Sequence, residues 1–210
     1  MGRLGLSFDV LPPSGVDESE VRGLAFDTCA ELARRKAEWV LAEVDDPDAT
    51  VVGSDTVVAL VRGAQERLLG KPADEDDARR MLQILSGLTH RVLSGIAVAR
   101  RGAPTRVEVE VSHVKFSVLS DEVIESYVET GDPLDKAGAY GIQSVGAGIV
   151  SEIRGCYYNI VGLPLTLLAT MLDRELAPAC DCGEHELQTS SGGCQIFGTD
   201  EDEEPEIETR

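Results

Sequence analysis

The run V-V-G-S-D-T-V-V-A-L, residues 51–60, constrains this chain more than any other segment. It is apolar and largely β-branched on both sides of its centre, so it reads as a strand covered on both faces. A strand of that kind needs helices packed on a sheet, which makes the fold class α/β. Yet its centre carries a carboxylate, Asp55. Burying one is costly unless it meets a cation, a metal or a set of hydrogen-bond donors. Gly53 and Ser54 just before it mark a kink or a close approach by another backbone. From these residues alone, a structural Asp55 held by backbone amides and a functional Asp55 are equally good readings.

The rest of the body repeats the mixture. Further β-branched runs cover 91–100, 106–119 and 146–153, and the second alternates Val107, Val109 and Val111 with Glu108 and Glu110. Helical spacing covers 20–43, with Ala25, Cys29, Leu32, Lys36 and Val40 on one stripe. It also covers 74–86, with acids in the first turn and Gly87 past the end, and 163–176. Ser120 caps another helix through Val123, Ile124, Tyr127 and Val128, which stops at Gly131. Strands with hairpin-like neighbours and interspersed helices predict one domain over 1–177 with a central mixed sheet. Residues 178–210 read as an acidic, disordered tail.

Charge narrows the function. The formal net charge is -19, from 38 acids against 19 Lys and Arg, so a non-specific nucleic-acid binder is excluded. Seven of those acids fall in the last eleven residues, so part of the imbalance belongs to the tail. No apolar stretch is long enough to span a bilayer and no leader opens the chain, which predicts a cytoplasmic protein. Cys180, Cys182, His185 and Cys194 have the ligand types of a zinc site. However, C-x-C is not the usual knuckle spacing and the flanks are Ser/Gly-rich, so an unstructured tail is the preferred reading.

Lysine is scarce, with four against 15 Arg, and three of the four have unusual settings. Lys36 falls on the apolar stripe of its helix, where it either snorkels or aims its ammonium at an anion. Lys71 lies in L-L-G-K-P and Lys136 in D-K-A-G-A-Y-G-I-Q, both turn-like places for a cation near a ligand. Together they point to anion binding, phosphates above all. Glu18 alone reads as a solvated cap residue, and His90 and His113 as structural or surface residues. No G-x-x-x-x-G-K-[ST], G-x-G-x-x-G or G-x-S-x-G occurs.

Seven segments in order, P-S-G-V-D-E (13–18), K-A (36–37), V-G-S-D-T-V-V (52–58), G-K-P (70–72), L-S-G-L-T-H-R-V (85–92), G-D-P-L-D-K-A-G-A-Y-G-I-Q (131–143) and Y-N-I-V-G-L-P-L (158–165), resemble the Maf family. The resemblance implies an elongated α/β domain similar to the inosine triphosphatase class. It also implies a pyrophosphatase that converts a nucleoside triphosphate and water to the monophosphate and pyrophosphate. Carried onto this chain, Asp55 would be the general base, and Glu18 and Asp55 would hold a divalent cation, Mg²⁺ or Mn²⁺. Lys36, Lys71 and Lys136 would neutralise the triphosphate. Thr56 and Gln143 match the branch acting on dTTP and UTP, and an amide such as Gln143 can offer donor and acceptor to a pyrimidine edge. The expected partner is the nucleotide, with neither nucleic acid nor membrane, and a homodimer is one possible assembly.

The resemblance departs at the front. The family opens with S-x-S-P-R-R, which has no counterpart in M-G-R-L-G-L-S-F-D-V. Two explanations stand: an assigned start too far downstream, or a truncated and weakened protein. The first is preferred because the other motifs persist, and it predicts an in-frame stretch of that kind shortly upstream. If the shorter front is genuine, the alternative is a non-catalytic nucleotide-binding or regulatory protein linked to cell division.

Overall fold

The computed structural model describes residues 5–143 and 145–173. The acidic tail and the cluster of Cys180, Cys182, His185 and Cys194 lie outside the described residues. Five strands form one sheet: β1 (Thr50–Arg62), β2 (Gln65–Leu69), β3 (Thr89–Arg100), β4 (Arg106–Phe116) and β5 (Val150–Arg154), in the order β2-β1-β3-β4-β5. The helices are α1 (Ala25–Glu43), α2 (Glu75–Leu85), α3 (Asp121–Val128), α4 (Tyr157–Val161) and α5 (Leu165–Met171). Short 3₁₀ turns lie at Glu18–Glu20, Asp132–Asp135, Ala137–Ala139 and Val145–Ile149.

The single α/β domain is as expected, but the mixed sheet is not. Every strand pairing among the described residues is antiparallel. Connectivity is the reason. β1 reaches β2 through Gly63–Ala64 and β3 reaches β4 through Arg101–Thr105, and links that short can only reverse the chain. β2 and β3 run the same way but flank β1 on opposite sides. The sequence reading missed β2 and α4, and it began α1 five residues too early.

Alternation assigns the two faces of the sheet. Val51 and Ala97 with Ala99 pack under α1 through Ala33 and Ala37, and Ala59 with Leu93 through Ala25 and Cys29. On the other face Val58, Leu60, Val92, Val114 and Phe116 pack with α2, α3 and the Ala139–Ile142 segment. Ile96 and Val98 meet Leu168 and Met171 of α5 there. The α1 layer is built from small residues on both sides, so the helix sits very low. A Cβ at Gly53 would stand 2.4 Å from the Ala33 carbonyl oxygen, and one at Gly95 2.3 Å from that of Cys29. This is the close approach that Gly53 signalled.

The start of α1 is fixed from a distance. Its N-cap residue, Leu24, has no side chain to offer. Instead Glu66 of β2 accepts a 2.7 Å hydrogen bond from the Ala25 N–H, and its other oxygen pairs with Arg91. A carboxylate there satisfies an orphan donor and meets the positive end of the helix dipole. Glu66→Ala is expected to cost about 2 kcal/mol, because the cap is lost and half-buried Arg91 is left without its carboxylate. Urea unfolding checks it, and an unchanged midpoint would refute it.

Candidate active site

β1 runs on past the end of β2. The two pair from Val58 to Arg62, so residues 50–57 of β1 have, among the described residues, a strand partner on the β3 side alone. A cleft of about 690 Å³ opens along this stretch and reaches both faces of β1. Asp55 enters it from the α1 face and Thr56 from the opposite face. This also corrects the expectation of a strand covered throughout: Ser54–Val57 are only half-buried.

All seven residues singled out in the sequence line this one cleft: Glu18, Lys36, Asp55, Thr56, Lys71, Lys136 and Gln143. Their geometry is unequal. The buried face of α1 is Ala25, Thr28, Cys29, Leu32, Ala33 and Ala37, and Lys36 continues the Thr28–Leu32 row at its edge, as the stripe predicted, with its ammonium aimed at anions. Its Nζ donates to Asp55 Oδ1 at 2.6 Å and meets Glu18 Oε1 at 2.6 Å. Two carboxylates therefore converge on one point. The Asp55 side chain is only 10% exposed against 59% for Glu18. Burial pushes the Asp55 carboxyl up, against the pull of the Lys36 ammonium and, more weakly, of Lys71. Burial would lower Lys36, but its bonds to Asp55 and Glu18 win and hold the ammonium above its usual range.

Lys71 is exposed in the loop after β2, where Gly70 accepts a 3.0 Å bond from the Gly138 N–H. That bond ties the Lys71 loop to the Lys136 loop. Lys136 donates to Asp135 at 2.7 Å and to the Asp132 carbonyl at 2.9 Å, so much of its charge is met locally. The Asp135 bond raises it above the ordinary lysine range. Tyr127 braces the same loop, donating to Asp132 at 2.6 Å and accepting from the Gly141 N–H at 3.0 Å. Gln143 is exposed at the far rim.

Sequence reasoning missed other lining residues: Thr28, Ser54, Tyr140 and Gly162. It also missed the buried polar residues behind the wall, Ser94, Ser112 and Asn159. The signal was there, since Ser94 interrupts the apolar run of β3 as Asp55 interrupts β1. Cys29 is buried close by, but burial pushes its thiol up to about 12, so it stays protonated.

Of the two readings the sequence left open for His90, structural or surface, the structure shows the first. His90 is buried, shares a 2.8 Å hydrogen bond with the Tyr140 hydroxyl and packs edge-on to Phe116. Burial pushes its imidazole down from 6.5 to about 4. Between those values the unfolded chain takes up a proton that the folded chain refuses, so His90 lowers stability as pH falls through that window. The full effect is about 3 kcal/mol. The loss in unfolding free energy from pH 7 to 4.5 is expected to be smaller in His90→Gln; an equal loss would refute this.

No helix among the described residues is long and apolar enough to cross a membrane. The family model for Maf-like proteins matches residues 1–175. A dTTP/UTP pyrophosphatase of Clostridium botulinum (strain Eklund 17B / Type B) is 40% identical over 176 residues, covering 83% of this chain and 91% of its own. The protein of the same description from Thermococcus onnurineus is 44% identical over 171 residues, or 80% and 86%. The one from Halalkalibacterium halodurans is 47% identical over 154, or 73% and 77%. With the family model matched over residues 1–175 and relatives matched over most of their length, this chain belongs to the Maf family.

Proposed function

We propose that this chain hydrolyses dTTP and UTP to the monophosphate and pyrophosphate, the activity for which its relatives are named. The observation that carries the reading is the clamp of Lys36 between Asp55 and Glu18 inside a cleft that also holds Lys71 and Lys136. A water oxygen would form a bond to the α-phosphorus while the bond to the bridging oxygen of the β-phosphate breaks. Asp55 would take the proton from that water. Its raised pKa makes it a stronger base than an exposed aspartate, and the adjacent ammonium opposes the burial effect by favouring the ionised form. Lys71 and Lys136 would meet the charge that gathers on the departing pyrophosphate.

A hard divalent cation, Mg²⁺ or Mn²⁺, fits the donor set. Two carboxylates converge within 2.6 Å of the Lys36 nitrogen, and all their donors are oxygen. No group of three or more His, Cys, Asp or Glu among the described residues could hold a metal. The residues therefore suit an ion shared with the substrate, held by Glu18 and Asp55. When bound, it supplies charge neutralisation on the phosphate oxygens. The three lysines alone face two carboxylates in the cleft wall, which leaves little net charge for a polyanion. We place this reaction in the cytoplasm.

The test is incubation with each nucleoside triphosphate and Mg²⁺ or Mn²⁺, separating products by chromatography. Pyrophosphate with UMP or dTMP supports the reading. Orthophosphate with the diphosphate would move cleavage to the γ-phosphate and overturn it. Binding with no product would make the chain a nucleotide-binding module.

A further inference from the structure

Thr56 and Ser94 face each other across the β1–β3 ladder with their hydroxyl oxygens 2.8 Å apart. Distance alone does not say which donates. The groups behind them do. Ser94 Oγ lies 2.9 Å from the backbone carbonyl of Asn159, which can only accept. A serine has one hydrogen, so with it committed to Asn159 the bond to Thr56 must be donated by Thr56. The opposite arrangement would leave two lone-pair oxygens 2.9 Å apart with no hydrogen between them. Ser94 and Asn159 are fully buried, out of reach of water that could relieve this. Asn159 is itself pinned, donating through Nδ2 to the Val92 carbonyl and to Ser112 Oγ at 2.9 Å each. Ser112 in turn donates to the Cys156 carbonyl at 3.0 Å.

The Thr56 hydrogen therefore points into the protein, and only lone pairs face the cleft. Ser54, two residues earlier on the same face, repeats the arrangement. Its Oγ lies 2.9 Å from the Gly162 carbonyl and 3.1 Å from that of Gly95, both acceptors. Gly162 leaves this side of Thr56 free of side chain, since a Cβ there would lie in ordinary contact, 3.4 Å from Thr56 Oγ1. Among the described residues on this side of β1, the wall's two hydroxyls, Ser54 and Thr56, turn their hydrogens inward and offer the cleft acceptors. Phosphate oxygens gain nothing from it, and the lysines lie elsewhere in the cleft. A ligand group that carries a hydrogen does gain. Uracil and thymine have an N–H at N3, where cytosine has a bare lone pair.

We infer that Ser94 is a specificity-determining positioning residue, which acts through Thr56 by making it an obligate acceptor for the imide N–H of uracil or thymine. The inference rests on the pyrimidine triphosphate reading above and deepens it. Ser94 touches no substrate in this scheme.

The experiment compares UTP, CTP and 3-methyl-UTP, which lacks the N3 hydrogen, by kcat/KM and by the Kd of the uncleavable α,β-methylene analogues of UTP and CTP. The native protein is expected to favour UTP over both others by about tenfold or more, as sites built around one hydrogen bond do. In Ser94→Ala the Thr56 hydrogen loses its inward acceptor and can turn to the cleft. The UTP:CTP ratio is then expected to collapse by about tenfold, mostly through KM. Thr56→Val should lose the ratio too, and Thr56→Ser should retain it. An unchanged ratio in folded Ser94→Ala would overturn the inference. So would native protein that handles 3-methyl-UTP as well as UTP, an outcome that needs no variant to fold. If the native protein releases no pyrophosphate from any triphosphate, the proposed reaction fails instead. The Kd ratio then still decides the acceptor wall, and equal affinity for the uridine and cytidine analogues would overturn it.

Discussion

Asp55→Asn is expected to lower pyrophosphate release by about 10²–10⁴, the range typical for losing a positioned general base. The substitution keeps the size of the side chain and an oxygen that can still accept from Lys36. Lys36 also keeps Glu18 as a partner, so no ammonium is left alone in the wall. The thermal midpoint should therefore move little while turnover falls. The pH profile gives a second reading. A base acts only when ionised, so activity must fall as pH drops through its pKa, and burial has raised that pKa above 3.8. In the metal-free protein, followed by NMR, the Asp55 carboxyl should titrate above the ordinary aspartate range. In Lys36→Met it should titrate higher still, because the ammonium that opposes the burial effect is gone. Native-like turnover by Asp55→Asn would remove Asp55 from the mechanism.

Gly95→Ala is expected to be the most damaging small substitution in the sheet. Its Cβ would stand 2.3 Å from the Cys29 carbonyl oxygen and 2.7 Å from the carbonyl carbon, both backbone atoms of α1. Backbone cannot rotate out of the way as a side chain can, so the helix must lift. Overpacking of this kind costs about 3 kcal/mol, a fall of roughly 10 °C in Tm for a domain of this size. Gly53→Ala makes the same clash one strand away, against Ala33 and Ala37. Either change also raises Lys36 from Asp55, so activity should fall in the fraction that still folds. A Gly95→Ala protein within about 0.5 kcal/mol of native, the range of an ordinary surface substitution, would refute the close approach.

The regular elements with strong periodicity were legible in the sequence. β1, β3 and β4 follow from β-branched runs, and α2 from its acidic first turn and apolar spacing. β2 was not, because Q-E-R-L-L has neither alternation nor β-branched residues and becomes a strand by pairing with β1. The start of α1 was not legible either. Glu18, Ser19 and Glu20 look like the opening of a helix, yet they form only a 3₁₀ turn. The helix begins at Ala25, where Glu66 reaches it from 41 residues away.

By itself the sequence determined the chemistry on offer: a carboxylate inside an apolar strand, three lysines in turn-like or helical settings, and a hydroxyl and an amide beside them. Each is a property of single residues and their neighbours, which periodicity and side-chain type express. Only the tertiary structure decided that these groups share one cleft. It did so by ending β2 early, so that β1 has an open edge, and by seating α1 on glycines, so that Lys36 comes within 2.6 Å of Asp55. It also decided the direction of the Thr56 hydrogen, through partners 38 and 65 residues apart in the chain. Contacts over such separations depend on which backbones approach and which donors are already spent, and no local pattern records either.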